Sequence, residues 1–203
     1  MDQHSLFDDD HELVANGGPD AVLHRGAIPD ADARELFAEL RAEVAWNQDH
    51  IRMYGDLIPL PRLTAWVGDP GRDYTYSGIE MHAQPWSGPL EGIRTVVEQL
   101  STSRFNSVLC NLYRDGHDGL AWHSDDETEL GDEPVIASAN LGATRRFLMR
   151  RKDDHRDKVE LSLRNGDVLI MSGTTQEQWE HSVPKTAKPT GERINLTFRT
   201  VVV

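Results

Sequence analysis

The apolar positions of this chain change period part-way along it. Leu36, Phe37, Leu40 and Val44 recur at helical spacing, and acids crowd the first turn, which predicts a helix from near Asp30 to about Val44. A second helix follows Pro89, with Ile93, Val96, Val97 and Leu100 on one face. Between the two, residues 50–87 carry Tyr, Trp, Pro and Gly without helical period and read as hairpins and loops. From Phe105 the period becomes two. The pattern predicts strands over 107–116, 134–151, 159–171 and 192–203, with 159–171 forming a hairpin through Asn165-Gly166. Successive short strands with turn signals point to a β-sandwich or barrel. The first 20 residues are acidic and then run Asn16-Gly17-Gly18-Pro19, so they read as a disordered tail. The change near residue 105 separates a mixed α/β part from a β core, with no internal repeat.

Composition narrows the class. The chain has 203 residues, 38% hydrophobic and 27% charged, which fits one globular domain. Cys110 is its only cysteine, so no intramolecular disulfide forms and a reducing compartment is expected. No apolar run approaches the ~20 residues of a membrane span, and the acidic start is unlike a secretory signal. The expected location is therefore cytoplasmic, or nuclear in a eukaryotic cell. The net charge of −13 argues against nucleic acid as a partner, because phosphates repel an acidic surface. The charge is uneven, however. Arg145, Arg146, Arg150, Arg151, Lys152, Arg156 and Lys158 fall in one run, which is either a solvated loop or a stripe that binds phosphates.

The candidate chemistry lies in His123-Ser124-Asp125. Residues two apart in an extended segment point the same way, so both side chains can reach one ion. Two His and a carboxylate on one face suit non-haem iron(II). Alone the pair is weak, since about one is expected by chance with nine His, and His155-Arg156-Asp157 is a second. The first follows a strand and the second sits inside the charged run, which favours the first, with His181 as third ligand. In Arg193-x-Asn195-x-Thr197-x-Arg199, period two puts four polar groups on one face and Ile194, Leu196 and Phe198 on the other. Two arginines facing a core are costly unless anions pair with them. A dicarboxylate co-substrate satisfies both, one guanidinium per end; the chain's own acids are the alternative. Asn111 and Tyr113 share one face of their strand and add an amide and a phenol.

These segments resemble the AlkB family of nucleic-acid dealkylases. The likeness covers about residues 50–203. It is densest in Asn111-Leu-Tyr113-Arg-Asp-Gly, Trp122-His-Ser-Asp-Asp-Glu127, Ile136-Ala-Ser-Ala-Asn-Leu-Gly-Ala143, Gly166-Asp-Val-Leu-Ile-Met171, His181-Ser-Val-Pro184 and Arg193-Ile-Asn-Leu-Thr-Phe-Arg199. The resemblance implies a mainly β (α+β) fold, a double-stranded β-helix (jelly-roll) core with an N-terminal helix and hairpin nucleotide-recognition lid. It implies a single domain over 21–203, with helices and lid over about 21–104 and the core over about 105–203. It implies iron(II) held by His123, Asp125 and His181. It also implies 2-oxoglutarate bonded by Asn111, Tyr113, Arg193, Thr197 and Arg199, with Arg193 on the distal carboxylate, Arg199 nearer the iron and O2 as oxidant; Asn195 shares their face.

The implied activity is oxidative removal of N-linked alkyl groups, of the 1-methyladenine and 3-methylcytosine type, from DNA and in a second version RNA. The implied enzyme is a monomer. Tyr76 then stacks on the extruded base with Tyr74 beside it, and Tyr54 sits where duplex-specific relatives carry an intercalating residue. Asp126, with Glu127, faces a cationic base, while Arg146, Arg150, Arg151 and Lys152 approach the backbone. The rival readings are an oxygenase acting on a protein or small molecule, a non-catalytic module binding damaged bases, and a structural zinc site.

Overall fold

The computed structural model describes residues 11–14, 17–53, 55–72, 74–76 and 79–202. In chain order the elements are β1 (His11–Leu13), β2 (Ala21–His24), α1 (Asp30–Glu43), β3 (His50–Met53), β4 (Asp56–Pro59), β5 (Leu63–Gly68), β6 (Tyr74–Tyr76) and β7 (Ile79–Met81). There follow α2 (Gly88–Ser101), β8 (Ser107–Tyr113), β9 (Leu120–His123), β10 (Ile136–Gly142), β11 (Arg145–Arg151), β12 (Lys158–Leu163), β13 (Val168–Met171), α3 (Thr175–Gln178), β14 (Trp179–Val183) and β15 (Arg193–Arg199).

Both long helices fall where the apolar spacing places them. Helix α1 carries Asp30 and Asp32 in its first turn and Arg41 in its last, each at the favourable end of the helix dipole. Helix α2 has Pro89 in its first turn, where a missing N–H costs nothing. The strands form two facing antiparallel sheets, as in a jelly roll: a major sheet ordered β1-β2-β13-β10-β15-β8-β5 and a minor one ordered β12-β11-β14-β9. Period two divides the major sheet into two cores. Its outer face (Val108, Cys110 and Leu112; Ala137, Ala139 and Leu141; Ile194, Leu196 and Phe198) packs beneath the helices with Leu40, Leu90, Ile93 and Val97. Its inner face meets Phe147, Met149, Leu161, Trp179 and Val183 of the minor sheet. The site opens within this inner layer.

Three expectations are corrected. Strands β12 and β13 are not a hairpin: β12 pairs with β11 in the minor sheet and β13 with β10 and β2 in the major one. Asn165-Gly166 is the turn that carries the chain between sheets. Gly166 has φ +81°, and a Cβ there would lie 2.1 Å from the Ile28 carbonyl oxygen, so only glycine fits. A hairpin signal reads local backbone chirality, which a sheet-switching turn shares. Second, the acidic N-terminal stretch enters the sheet early, since His11–Leu13 pairs with Val22–His24. Third, residue 105 is no boundary. Strands β1, β2 and β5 come from the N-terminal part yet belong to the major sheet, because a short strand gains partners from distant sequence. The two remaining hairpins, β3–β4 and β6–β7, form separate two-stranded sheets. Among the described residues no helix is long and apolar enough to cross a membrane.

Candidate iron and 2-oxoglutarate site

Strands β9 and β14 lie side by side, and their register sets His123 opposite His181. Asp125 follows β9 by two residues and turns into the same space. The ligand atoms of His123, Asp125 and His181 all lie within 4.8 Å of one another, the one such group found among the described residues. His181 Nε2 is 3.9 Å from Asp125 Oδ2, and the two imidazole centroids are 4.2 Å apart. Phe147 stacks on the His181 ring at 5.2 Å.

The protonation states match metal binding. Burial pulls the pKa of His123 down, against the pull of Asp125. Burial, reinforced by the His123 neighbour, pulls His181 down to about 3. Burial would raise Asp125, but Arg199 and the two histidines outweigh it and keep the carboxyl below its usual value. Neutral imidazoles beside an ionised carboxylate are what a divalent ion requires. His123 Nδ1 lies 2.9 Å from the Ala121 carbonyl oxygen, so the proton on Nδ1 is donated there and Nε2 keeps its lone pair. Asp125 Oδ2 is buried without a hydrogen bond, while Oδ1 accepts from Arg199 Nη2 at 2.5 Å.

The same cavity takes in the predicted co-substrate residues. Strand β15 pairs with β8 so that Arg193 stands opposite Tyr113 and Asn195 opposite Asn111. Asn111, Tyr113, Arg193, Asn195, Thr197 and Arg199 all line one space with His123, Asp125 and His181. Arg193 is 1% exposed; its Nε and Nη1 are buried and close no hydrogen bond of normal geometry, and burial lowers its pKa to about 10. Such a desolvated cation calls for an anion. The residues therefore fit a divalent metal at one end and a carboxylate at the other. Arg199 partly follows the alternative weighed for the sequence, since it pairs with an acid of its own chain.

A family model for the 2OG-Fe(II) oxygenase superfamily matches residues 20–199. "Alpha-ketoglutarate-dependent dioxygenase alkB homolog 3" of Mus musculus is 42% identical over 198 residues, covering 93% of this chain and 68% of the relative. "DNA oxidative demethylase ALKBH2" of Homo sapiens is 38% identical over 183 residues, covering 85% of this chain and 70% of the relative. The chain belongs to the AlkB family. The solved structure of OsALKBH1, at 22% identity, superposes with a TM-score of 0.64 over 90% of this chain and 99% of the other, a likeness of fold. This AlkB-family chain is an iron(II)- and 2-oxoglutarate-dependent dioxygenase, with O2 as its second co-substrate.

The substrate-side residues are less gathered. Asp126 is exposed beside the metal ligand; it accepts from Ser124 Oγ at 3.2 Å and from Lys152 Nζ at 2.9 Å. Glu127 precedes a 3-10 turn, Thr128–Leu130. Tyr74 and Tyr76 lie on β6, opposite Met81 and Ile79, and Tyr54 lies outside the described residues. The basic run is not a bare stripe. Arg146 pairs with Glu160, Arg150 with Glu180, Arg151 with Asp153 and Arg156 with Asp154. Arg150 also lies over the Trp122 ring at 4.0 Å, and Arg145 is buried, bonding three carbonyls. His155-Arg156-Asp157 falls in an exposed turn, the solvated loop that the sequence led us to expect.

Three buried residues escaped the sequence reading. Gln176 Oε1 accepts the Asp125 backbone N–H at 3.0 Å, tying the metal loop to α3. Arg62 Nε donates to Asn111 Oδ1 at 2.8 Å, so the Asn111 amide nitrogen turns toward the cavity. Asn140 accepts from Arg193 Nη2. Of the three, only Asn140 left a signal. In Ser138-x-Asn140, alternating with Ala137, Ala139 and Leu141, period two sets two polar groups on the inner face.

Proposed function

We propose that this enzyme removes N-linked alkyl groups from bases in DNA, of the 1-methyladenine and 3-methylcytosine type, with RNA as a second polymer. The observation that carries the reading is one cavity holding the His-Asp-His set, with Asp125 and His181 buried, at one end and the hydrogen-bond-hungry Arg193 at the other. The human relative named a DNA oxidative demethylase supports the choice of substrate. A monomer working in the cytoplasm or a nucleus completes the proposal.

Iron(II) with 2-oxoglutarate and O2 supplies, when bound, the oxidation that hydroxylates the N-linked carbon, after which formaldehyde leaves and succinate and carbon dioxide remain. His123 and His181 offer imidazole nitrogens and Asp125 an oxygen, and Arg199 fixes that carboxylate's orientation. Arg193 takes the distal carboxylate of 2-oxoglutarate. Asn111, Tyr113, Asn195 and Thr197 line the path between. Phe147, Leu120, Val183 and Met171 keep the cavity walls dry. Asp126 and Glu127 lie where a carboxylate favours a cationic methylated base over a neutral one. Hairpins β3–β4 and β6–β7 form the lid, with Tyr76 stacking on the extruded base, Tyr74 beside it and Tyr54 filling the gap in the duplex. Arg146, Arg150, Arg151 and Lys152 exchange their acid partners for phosphates.

The acid-paired basic run and the net charge favour a second reading, an oxygenase of the same chemistry acting on a protein or small molecule. The deciding experiment mixes anaerobically iron-loaded enzyme with O2, 2-oxoglutarate and an oligonucleotide bearing one 1-methyladenine, and follows the methyl group by mass spectrometry. Loss that needs iron and 2-oxoglutarate and disappears in His123→Ala establishes the dealkylase. Succinate without methyl loss points to the second reading, and neither product to a binding module.

A further inference from the structure

Arg193 is held in an unusual way for a buried cation. Among the described residues its guanidinium donates to the neutral Oδ1 of Asn140, and its other side-chain acceptor is the equally neutral hydroxyl of Tyr113. Among the described residues no carboxylate pairs with it. Its guanidinium carbon lies 5.1 Å from the Tyr113 ring centroid, and the other charge at that ring is a like one, Arg145 at 5.6 Å. The positive charge of Arg193 is therefore aimed but not neutralised.

Asn140 itself cannot turn. Its Nδ2 donates to the Ser138 carbonyl at 2.9 Å and the Asp167 carbonyl at 3.1 Å, which leaves Oδ1 facing Arg193. Its backbone N–H donates to the Asp167 carbonyl at 3.0 Å, and its carbonyl accepts from Gly166 at 2.7 Å. The sheet-switching turn thus clamps the amide on both sides. A flipped amide would set an NH2 group against a guanidinium and its oxygen against two carbonyls.

We propose that Asn140 is a positioning residue that sets which 2-oxo acid the enzyme accepts. It aims Arg193 at the distal end of the cavity while leaving its charge available, so the site favours 2-oxo acids carrying a second carboxylate. An aspartate here would have nearly the same shape and would place its own carboxylate on Arg193. The dicarboxylate would then compete with a resident anion and feel its repulsion. An alanine would remove the aim and keep the charge. The inference rests on the assignment of this cavity to 2-oxoglutarate.

The test measures binding by calorimetry, with Mn(II) in place of iron, without nucleic acid or oxygen. Two probes are used: 2-oxoglutarate, and 2-oxopentanoate, which has the same carbon chain and no distal carboxylate. Asn140→Asp should weaken 2-oxoglutarate by about 10- to 100-fold, the loss of one charge-assisted bond, and leave 2-oxopentanoate nearly unchanged. Asn140→Ala should weaken 2-oxoglutarate less and still prefer it. A merely structural role would weaken both probes in proportion. Equal losses for the two probes in Asn140→Asp, or undiminished 2-oxoglutarate binding, would overturn the proposal. Failure of the parent protein to bind 2-oxoglutarate would instead remove the site assignment beneath it.

Discussion

Replacing Gln176 by Leu tests whether the metal loop is held from α3. The Gln176 carboxamide and the Asp125 backbone N–H are both buried, and the bond between them is 3.0 Å. Leucine fills a similar volume and accepts nothing, so the Asp125 N–H is left buried without a partner. That costs about 1–3 kcal/mol of folding stability, since the group loses water and gains nothing. The same bond fixes the backbone of a metal ligand, and supports of that kind are worth about 10–100-fold in metal affinity. Urea unfolding of metal-free protein reads the first quantity and Mn(II) titration the second. Stability lower by the stated amount with Mn(II) affinity within twofold of the parent would refute the claim that Gln176 orients Asp125. Unchanged stability would refute the hydrogen bond itself.

Three further outcomes follow from the same geometry. Burial would raise the pKa of Asp118, but two bonds from the Arg114 side chain and one from its backbone N–H outweigh it and hold it below 3.8. The stability this gives is complete well above that value and is lost as pH falls through the lower folded value, so the stability difference between parent and Asp118→Asn should shrink on acidification below about pH 4. A difference that grows instead would contradict the assignment. Gly166→Ala should cost at least about 1–2 kcal/mol from the left-handed backbone alone, with the Ile28 contact adding more, read as a lower melting temperature. An unchanged melting temperature would show that the turn has another shape. Arg146→Ala breaks an exposed ion pair and should leave stability nearly unchanged. If Arg146 meets a phosphate, it should also flatten the salt dependence of oligonucleotide binding by about one unit of slope; an identical slope removes Arg146 from the nucleic-acid surface.

The sequence by itself determined the elements whose period is long and clean. Helices α1 and α2 needed only their apolar spacing, and β15 needed only alternation to put Arg193, Asn195, Thr197 and Arg199 on one face. The metal set was legible once His123-x-Asp125 was seen to leave a strand, because side-chain direction along a strand is a local property. What tertiary structure decided is everything that depends on which distant strand lies alongside. Asn165-Gly166 looks the same locally whether it closes a hairpin or changes sheets, and the choice was made by β12 and β13 finding different partners. The acids that pair with Arg146 and Arg150 lie on neighbouring strands, so these two arginines could not be seen as neutralised from their own segment. Gln176, Arg62 and Asn140 act at distances of 51, 49 and 53 residues along the chain. Alternation put Asn140 on the inner face, but which partner a side chain meets at such separations is set by packing, which no local pattern encodes.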